Sequence, residues 1–363
     1  MQRISIITYD KELSESTESD SSILESGSEC YDESDDDSGC DSYESEIDEE
    51  NIWKTYTRQH KLNVNLPKYS NKPGNNQGID GLKAPIEFFQ LFFSDHIFQE
   101  ICKLSDKYYH SKSYKRQYSS HKRKWKTPDL PTMKNFFGIL LYMGIVKKPS
   151  LKDYWSKNNL FGTPFLNDLM SLDHFLQIRK NLDFVDEDDC DKNDFLYKVR
   201  NLIDYMIVVS RSLYNPEKVL TVDEAMIKFN GRSKLKVYMP LKPTKYGFKA
   251  YILAEASSGF VLNWQLHNGK RNSLISILDN LTDPFAGQGY RISMDRFYTT
   301  LSTVSNLTEK GFEVLACITK NRAKLTSKMQ NEIDELHKGE SKFYCSTNNE
   351  MLLTVGVTQR WYT

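Results

Sequence analysis

The sequence predicts an α+β protein in which a helical half precedes a mixed α/β half, both behind a disordered acidic tail. Three observations predict it. Acidic and basic side chains are segregated along the chain. Between residues 85 and 215 the apolar residues recur at three- and four-residue steps, the period of a helix with one buried face. From Lys218 onward, short apolar runs alternate with turn signals and helix-like stretches.

Charge defines the tail. Of 49 Asp/Glu and 48 Lys/Arg, residues 1–50 hold 18 acids but only Arg3 and Lys11, which leaves 31 acids against 46 bases, a balance of +15, for the rest. Ser28–Glu50 has too few apolar groups to offset the entropy of ordering, so residues 1–50 read as disordered. Their Ser-Asp and Ser-Glu pairs suit an acidophilic kinase, and the segment reads either as a solubilising tail or as a mask for the basic body. That body favours a polyanion, because neutralised phosphates release condensed counterions. A well-solvated basic surface accounts for the charge equally well.

With 39% hydrophobic and 12% aromatic residues, the 363-residue chain supports real cores in about two domains. Cysteines 30, 40, 102, 190, 317 and 345 form no Cys-x-x-Cys and no Cys/His ligand spacing, so neither a zinc site nor a disulfide scaffold is expected. Neither a signal peptide nor a bilayer-spanning run of ~20 apolar residues is expected. The expectation is an intracellular protein with no membrane partner and no small-molecule substrate.

A linker covers 51–84, marked by Pro67, Pro73, Gly74 and Gly78. Helical patterning begins at Pro85, with Phe88, Phe89, Phe92, Phe93, Ile97 and Ile101 on one face, and returns over Asp129–Val146, Ser171–Leu182 and Leu196–Tyr214. Between the first two helices, His110–Lys126 interleaves Lys115, Arg116, Lys122, Arg123 and Lys124 with Tyr114, Tyr118 and Trp125. Such a loop suits nucleic-acid contact or, at Lys122–Lys126, a nuclear import signal. The alternative is a solvated loop with Trp125 folded back on the helices.

Strands are expected over Val219–Lys228, Leu235–Pro240, Tyr246–Glu255, Phe260–His267, Tyr290–Met294 and Phe312–Ile318, with helices over Leu274–Leu281 and Thr299–Lys310. Antiparallel strands followed by helix, strand, helix and strand suit a ribonuclease H-like mixed core over 216–345, leaving 346–363 as a divergent or truncated end. Asp223 and Asp295 each follow an apolar strand, and in such a core those two strands lie side by side and parallel. Paired carboxylates there suit Mg²⁺, a hard cation that prefers oxygen ligands and serves phosphodiester chemistry. Turn or capping aspartates are the plainer alternative. Glu224, pointing to the opposite face from Asp223, is a secondary candidate.

The wording around these acids adds a family. Leu220-Thr221-Val222-Asp223-Glu224-Ala225-Met226-Ile227-Lys228-Phe229-Asn230-Gly231-Arg232 resembles the first catalytic block of piggyBac-type DDE transposases. The likeness continues through Tyr238-Met239-Pro240-Leu241-Lys242-Pro243-Thr244-Lys245-Tyr246-Gly247-Phe248-Lys249. Met294-Asp295-Arg296-Phe297-Tyr298-Thr299-Thr300 resembles the second block, and Thr319-Lys320-Asn321-Arg322 a hallmark after it. Upstream, Phe136–Leu140, Met143-Gly144-Ile145, Asp153–Ser156, Met170-Ser171 and Arg179–Phe184 look like the family's helical DNA-binding region.

The resemblance, over about 80–345, implies a helical DNA-binding and dimerisation region, a ribonuclease H-like core, and cut-and-paste transposition at TTAA sites with three aspartates and Mg²⁺. Asp223 and Asp295 match the first two, as catalytic and metal-binding residues. Lys228, Arg232, Lys234, Lys236, Lys242, Lys245 and Lys249, with Lys320 and Arg322, are expected to meet phosphates of double-stranded DNA. A homodimer in the nucleus is the expected setting. Three departures qualify this. No segment matches the family's third aspartate, its zinc-binding tail has no counterpart, and Arg296 stands where the family has Asn. Arg296 is expected either to pair with Asp295 or to contact a phosphate. The expected protein is transposable element-derived, binds DNA and is catalytically incomplete. The alternative is an active transposase, if the chain is a fragment of a longer protein.

Overall fold

The computed structural model describes residues 52–57, 67–76, 79, 81–113, 125–158, 162–270, 272–337 and 339–356, and the backbone of 5–10. These fall into two compact units, one of residues 77–210 and one of 1–76 with 211–363.

The first unit is helical: α1 (Pro85–Phe92), α2 (Asp95–Ser113), α3 (Leu130–Ile145), α4 (Pro164–Leu169), α5 (Leu172–Asn181) and α6 (Tyr197–Leu213). The single run expected from Pro85 is therefore two helices. Phe93 leaves helical geometry at φ −110, ψ 70, and Asp95 opens the next helix with an acid in its first turn. Elsewhere the caps set the ends. Asp129 accepts from the Thr132 N–H at 3.0 Å ahead of α3, and Ser171 accepts from the His174 N–H at 3.3 Å ahead of α5. Met133, Phe136 and Ile139 share the buried face of α3, and Phe175 lies 4.9 Å from both the Phe136 and Trp155 rings. Trp125 does fold back: it stacks on Tyr109 at 4.7 Å and its indole N–H donates to Asp106 at 2.7 Å. The basic cluster Lys115, Arg116, Lys122, Arg123 and Lys124 lies outside the described residues.

The second unit is a sheet with helices. Its strands are β1 (Ser5–Asp10), β2 (Trp53–Thr55), β3 (Gly74–Asn75), β4 (Tyr214–Asn215), β5 (Val219–Lys228), β6 (Val237–Tyr238), β7 (Tyr246–Glu255), β8 (Val261–Leu266), β9 (Arg291–Met294), β10 (Glu313–Cys317), β11 (Ser341–Ser346) and β12 (Met351–Gly356). Helices α7 (Leu274–Thr282), α8 (Leu301–Glu309) and α9 (Ser327–Asp334) punctuate them. The order β2-β11-β12-β1-β10-β9-β5-β7-β6 makes one sheet, with β8 on β7, while β3 pairs with β4. β5, β7 and β8 are antiparallel; β5, β9, β10, β1 and β12 run parallel. Alternate residues Leu220, Val222, Ile292, Met294, Val314 and Ala316 enter one core with Leu278 and Leu281 of α7 and Val304 and Leu307 of α8.

Four boundaries differ from expectation. Residues 5–10, assigned to the disordered tail, form β1 between β10 and β12. The 51–84 linker supplies β2, whose Trp53 is buried and donates its indole N–H to the Ala323 carbonyl at 2.7 Å. The end expected to diverge from 346 instead contributes β12, with Leu353 and Val355 fully buried. The strand expected at Leu235–Pro240 shrinks to two residues. In each of the first three, a short apolar segment gains its partner from far along the chain, which local periodicity does not record.

Where β9 and β10 begin, the buried carboxylate of Glu313 accepts from Lys218 Nζ at 2.5 Å and from Arg291 Nη2 at 2.6 Å. Burial pushes its pKa up, but these two cations outweigh that and hold it below its ordinary 4.5. A depressed folded pKa contributes stability that is present above the unfolded value and lost as pH falls through the folded one. Glu313→Gln is expected to cost about 1–3 kcal/mol in urea unfolding at neutral pH, with the difference from wild type shrinking as pH drops below 4.5.

Candidate metal and nucleic-acid site

Parallel pairing of β5 with β9 runs from Val219↔Arg291 to Val222↔Met294. One residue beyond the last pair on each strand stands an aspartate, Asp223 and Asp295. The register therefore sets Asp223 and Asp295 level with each other on adjacent strands, at the point where β9 ends. It is fixed by burial, since a one-residue slip would turn Leu220, Val222, Ile292 and Met294 out of the core.

The two acids are then held differently. β5 continues past Asp223 along β7, pairing Asp223 with Ile252, and the Glu224 N–H donates to Asp223 Oδ1 at 2.7 Å. Asp295 leaves its strand and caps the 3₁₀ turn Arg296–Tyr298, its Oδ1 accepting from the Arg296 N–H at 2.6 Å. The turn is braced from behind. Thr299 Oγ1 donates to the Asp295 carbonyl at 2.9 Å, and Arg322 Nη1 donates to the carbonyls of Arg296 and Phe297 at 3.1 and 3.0 Å. Both aspartates remain exposed.

Glu224 points the other way, as strand alternation demands, and only 16% of its side chain is exposed against 67% for Asp223. Its carboxylate meets Lys242 Nζ at 2.9 Å and accepts from the Tyr298 hydroxyl at 3.1 Å. Lys242 also comes within 4.0 Å of Asp223 Oδ1. Burial raises the Glu224 pKa, and the Lys242 ammonium, the charge of Lys249 and the Tyr298 hydroxyl together bring it below its ordinary value. Burial and the Glu224 charge push the Tyr298 phenol upward, so it stays a donor.

Mg²⁺ takes one or two carboxylates and keeps several waters, so two exposed aspartates on adjacent strands fit it. Among the described residues, no group of three or more His, Cys, Asp or Glu assembles that would hold a metal.

The chain resembles known proteins. The model of the family described as Transposase IS4, a DDE transposase family, matches residues 84–360. Human PiggyBac transposable element-derived protein 3 is 23% identical over 295 residues, 76% of this chain and 48% of that protein. The chain belongs to the piggyBac family of DDE transposases. Human PiggyBac transposable element-derived protein 2 is 21% identical over 312 residues, covering 82% of this chain and 50% of its own length. The chain thus spans about half the length of the curated relatives it matches. A solved piggyBac transposase synaptic complex with hairpin DNA shares the fold at a TM-score of 0.61 and 22% identity, over 75% of this chain and 58% of that one.

In this piggyBac family member, the basic residues named from the sequence divide. Lys228, Arg232, Lys234, Lys236 and Lys245 are exposed around the β5–β7 connection. Lys242 is half-buried on Glu224. Lys249 is not a surface residue as expected: it is buried, with Nζ 4.7 Å from the Phe297 ring centroid and 5.5 Å from that of Tyr251. Its position on the inward side of β7 is the reason. Lys320 is half-buried, and Arg322 serves carbonyls rather than facing outward as a phosphate contact. What meets the Asp295 carboxylate is the Arg296 N–H. Tyr298 entered the sequence reading only as part of the second block, without a role; its hydroxyl reaches Glu224 on another strand.

Arg322→Ala is expected to quicken amide exchange across residues 296–299 by about tenfold, because it removes two charge-assisted hydrogen bonds from that turn. Exchange mass spectrometry measures it, with β7 amides as the unchanged reference.

Proposed function

We propose that this chain binds duplex DNA through the basic β5–β7 connection beside a two-aspartate Mg²⁺ site, on a ribonuclease H-like core inherited from a cut-and-paste transposase. The observation that supports the reading is the parallel β5–β9 register, whose last pair immediately precedes Asp223 and Asp295, with Lys242 Nζ 4.0 Å from Asp223 Oδ1. The core reading is supported by the order β8-β7-β5-β9-β10, antiparallel over the first three strands and parallel over the last three. DNA binding is supported by the solved relative, whose complex contains hairpin DNA. The helical unit takes part in DNA binding and dimerisation, and the protein works in the nucleus.

Asp223 and Asp295 would hold the ion, which when bound activates an attacking oxygen and steadies a leaving one. Lys228, Arg232, Lys234, Lys236 and Lys245 grip phosphates, which positions a duplex without reading its sequence. A clamp of two ions asks for more carboxylates than this pair, so the chain binds TTAA-flanked ends without completing strand transfer. One observation favours an active second reading: the aspartate pair and its braced turn are intact.

Binding to a transposon-end duplex is expected to weaken with salt, and Lys234→Ala with Lys236→Ala to lower the log–log slope by about 2. Asp223→Ala is expected to leave binding unchanged. Absence of binding at low salt sinks the proposal. Mg²⁺-dependent nicking that vanishes in Asp223→Ala establishes the active reading instead.

A further inference from the structure

We infer that Glu224 is a positioning residue for the aspartate pair, bolting the turn that follows Asp295 and the loop that carries Lys242 to the strand that carries Asp223. The inference rests on the metal-site reading above and assigns the pair its support. On β5 the core-facing positions are Leu220, Val222 and then Glu224, so the third apolar slot holds a carboxylate. A lone charge at that depth is costly, and this one is satisfied by two groups from distant segments.

Those groups belong to the two elements whose placement the pair requires. Tyr298 closes the 3₁₀ turn that Asp295 caps; its ring is wholly buried in the core and its hydroxyl ends on Glu224. Arg322 holds the same turn by its backbone carbonyls. Glu224 and Arg322 thus fix the turn from two sides, which leaves Asp295 little freedom to swing from Asp223.

Lys242 gives Glu224 a second task. The ammonium lies 2.9 Å from Glu224 and 4.0 Å from Asp223 Oδ1. Released from Glu224, it would move onto the nearer remaining anion, Asp223, and compete there with a cation. Lys249 keeps a second ammonium on the same side, so one carboxylate faces two cations. Glu224 therefore aims one metal ligand and keeps the other free of its neighbouring lysine.

The test measures Mn²⁺ binding to the full chain by loss of the free-ion electron paramagnetic signal, for wild type, Asp223→Asn, Glu224→Gln and Tyr298→Phe. Asp223→Asn is expected to abolish the site. Glu224→Gln is expected to weaken it by about tenfold or more and Tyr298→Phe by a few-fold, the range of outer-shell substitutions at metal sites. The salt slope of DNA binding stays at its wild-type value, and Glu313→Gln, which removes a comparable buried carboxylate away from the aspartates and lowers the thermal midpoint, leaves Mn²⁺ binding unchanged; a merely structural role for Glu224 would make the two variants behave alike. If Glu224→Gln does not fold, Tyr298→Phe decides, since it removes one oxygen. Loss of the site in Asp223→Asn alone, with both other variants within about twofold of wild type, overturns the inference and leaves the metal reading standing. Equal Mn²⁺ binding by wild type and Asp223→Asn defeats the metal reading and takes this inference with it.

Discussion

The parallel pairing of β5 with β9 is the constraint on which the site depends. Two strands far apart in sequence are brought into a register that buried Leu220, Val222, Ile292 and Met294 allow in only one way. The carboxylates that follow inherit their spacing from that packing rather than from any attraction between them, and as like charges they repel. Apolar burial of several side chains, at about 1.5–3 kcal/mol each, is large enough to hold two exposed anions together. The core supplies the free energy that the site's electrostatics oppose.

A second layer of polar contacts surrounds this. Glu224, Tyr298, Lys242 and Lys249 lie between the hydrophobic core and the exposed aspartates, where ions are less screened than at the surface. Similar logic appears at the opposite end of the parallel strands, where Glu313 is gripped by Lys218 and Arg291. In both places one buried carboxylate joins two basic or hydroxyl groups from separate elements. The parallel strands are thus fastened by a charge cluster at each end.

Much of this was legible in the sequence. The helices expected over Asp129–Val146 and Ser171–Leu182 begin at the capping residues Asp129 and Ser171, because such signals are local. Asp223 and Asp295 were singled out because each follows an apolar run and lies in a family motif, and both runs are strands that pair in the sheet. The misses share a physical cause. Trp53 has its hydrogen-bond partner at Ala323, and Tyr298 finds Glu224 on another strand; no window of sequence contains both members of either pair. Lys249 looked like one more phosphate contact because composition cannot distinguish the two faces of β7. Its burial follows from the pleat of β7, which turns Lys249 to the same side as the buried Tyr251 and Leu253.

The placement of β1 bears on how the chain folds. Ile6 pairs with Leu315 on one side and Leu352 on the other, so the opening residues are a central rib of the sheet. In sequence order this strand precedes both of its neighbours, β10 and β12, by most of the sheet. Until β12 has been synthesised, Ser5–Asp10 has one of its two edges unanswered, and the sheet has a slot in its middle. Closing a loop of nearly the whole chain is slow and entropically costly.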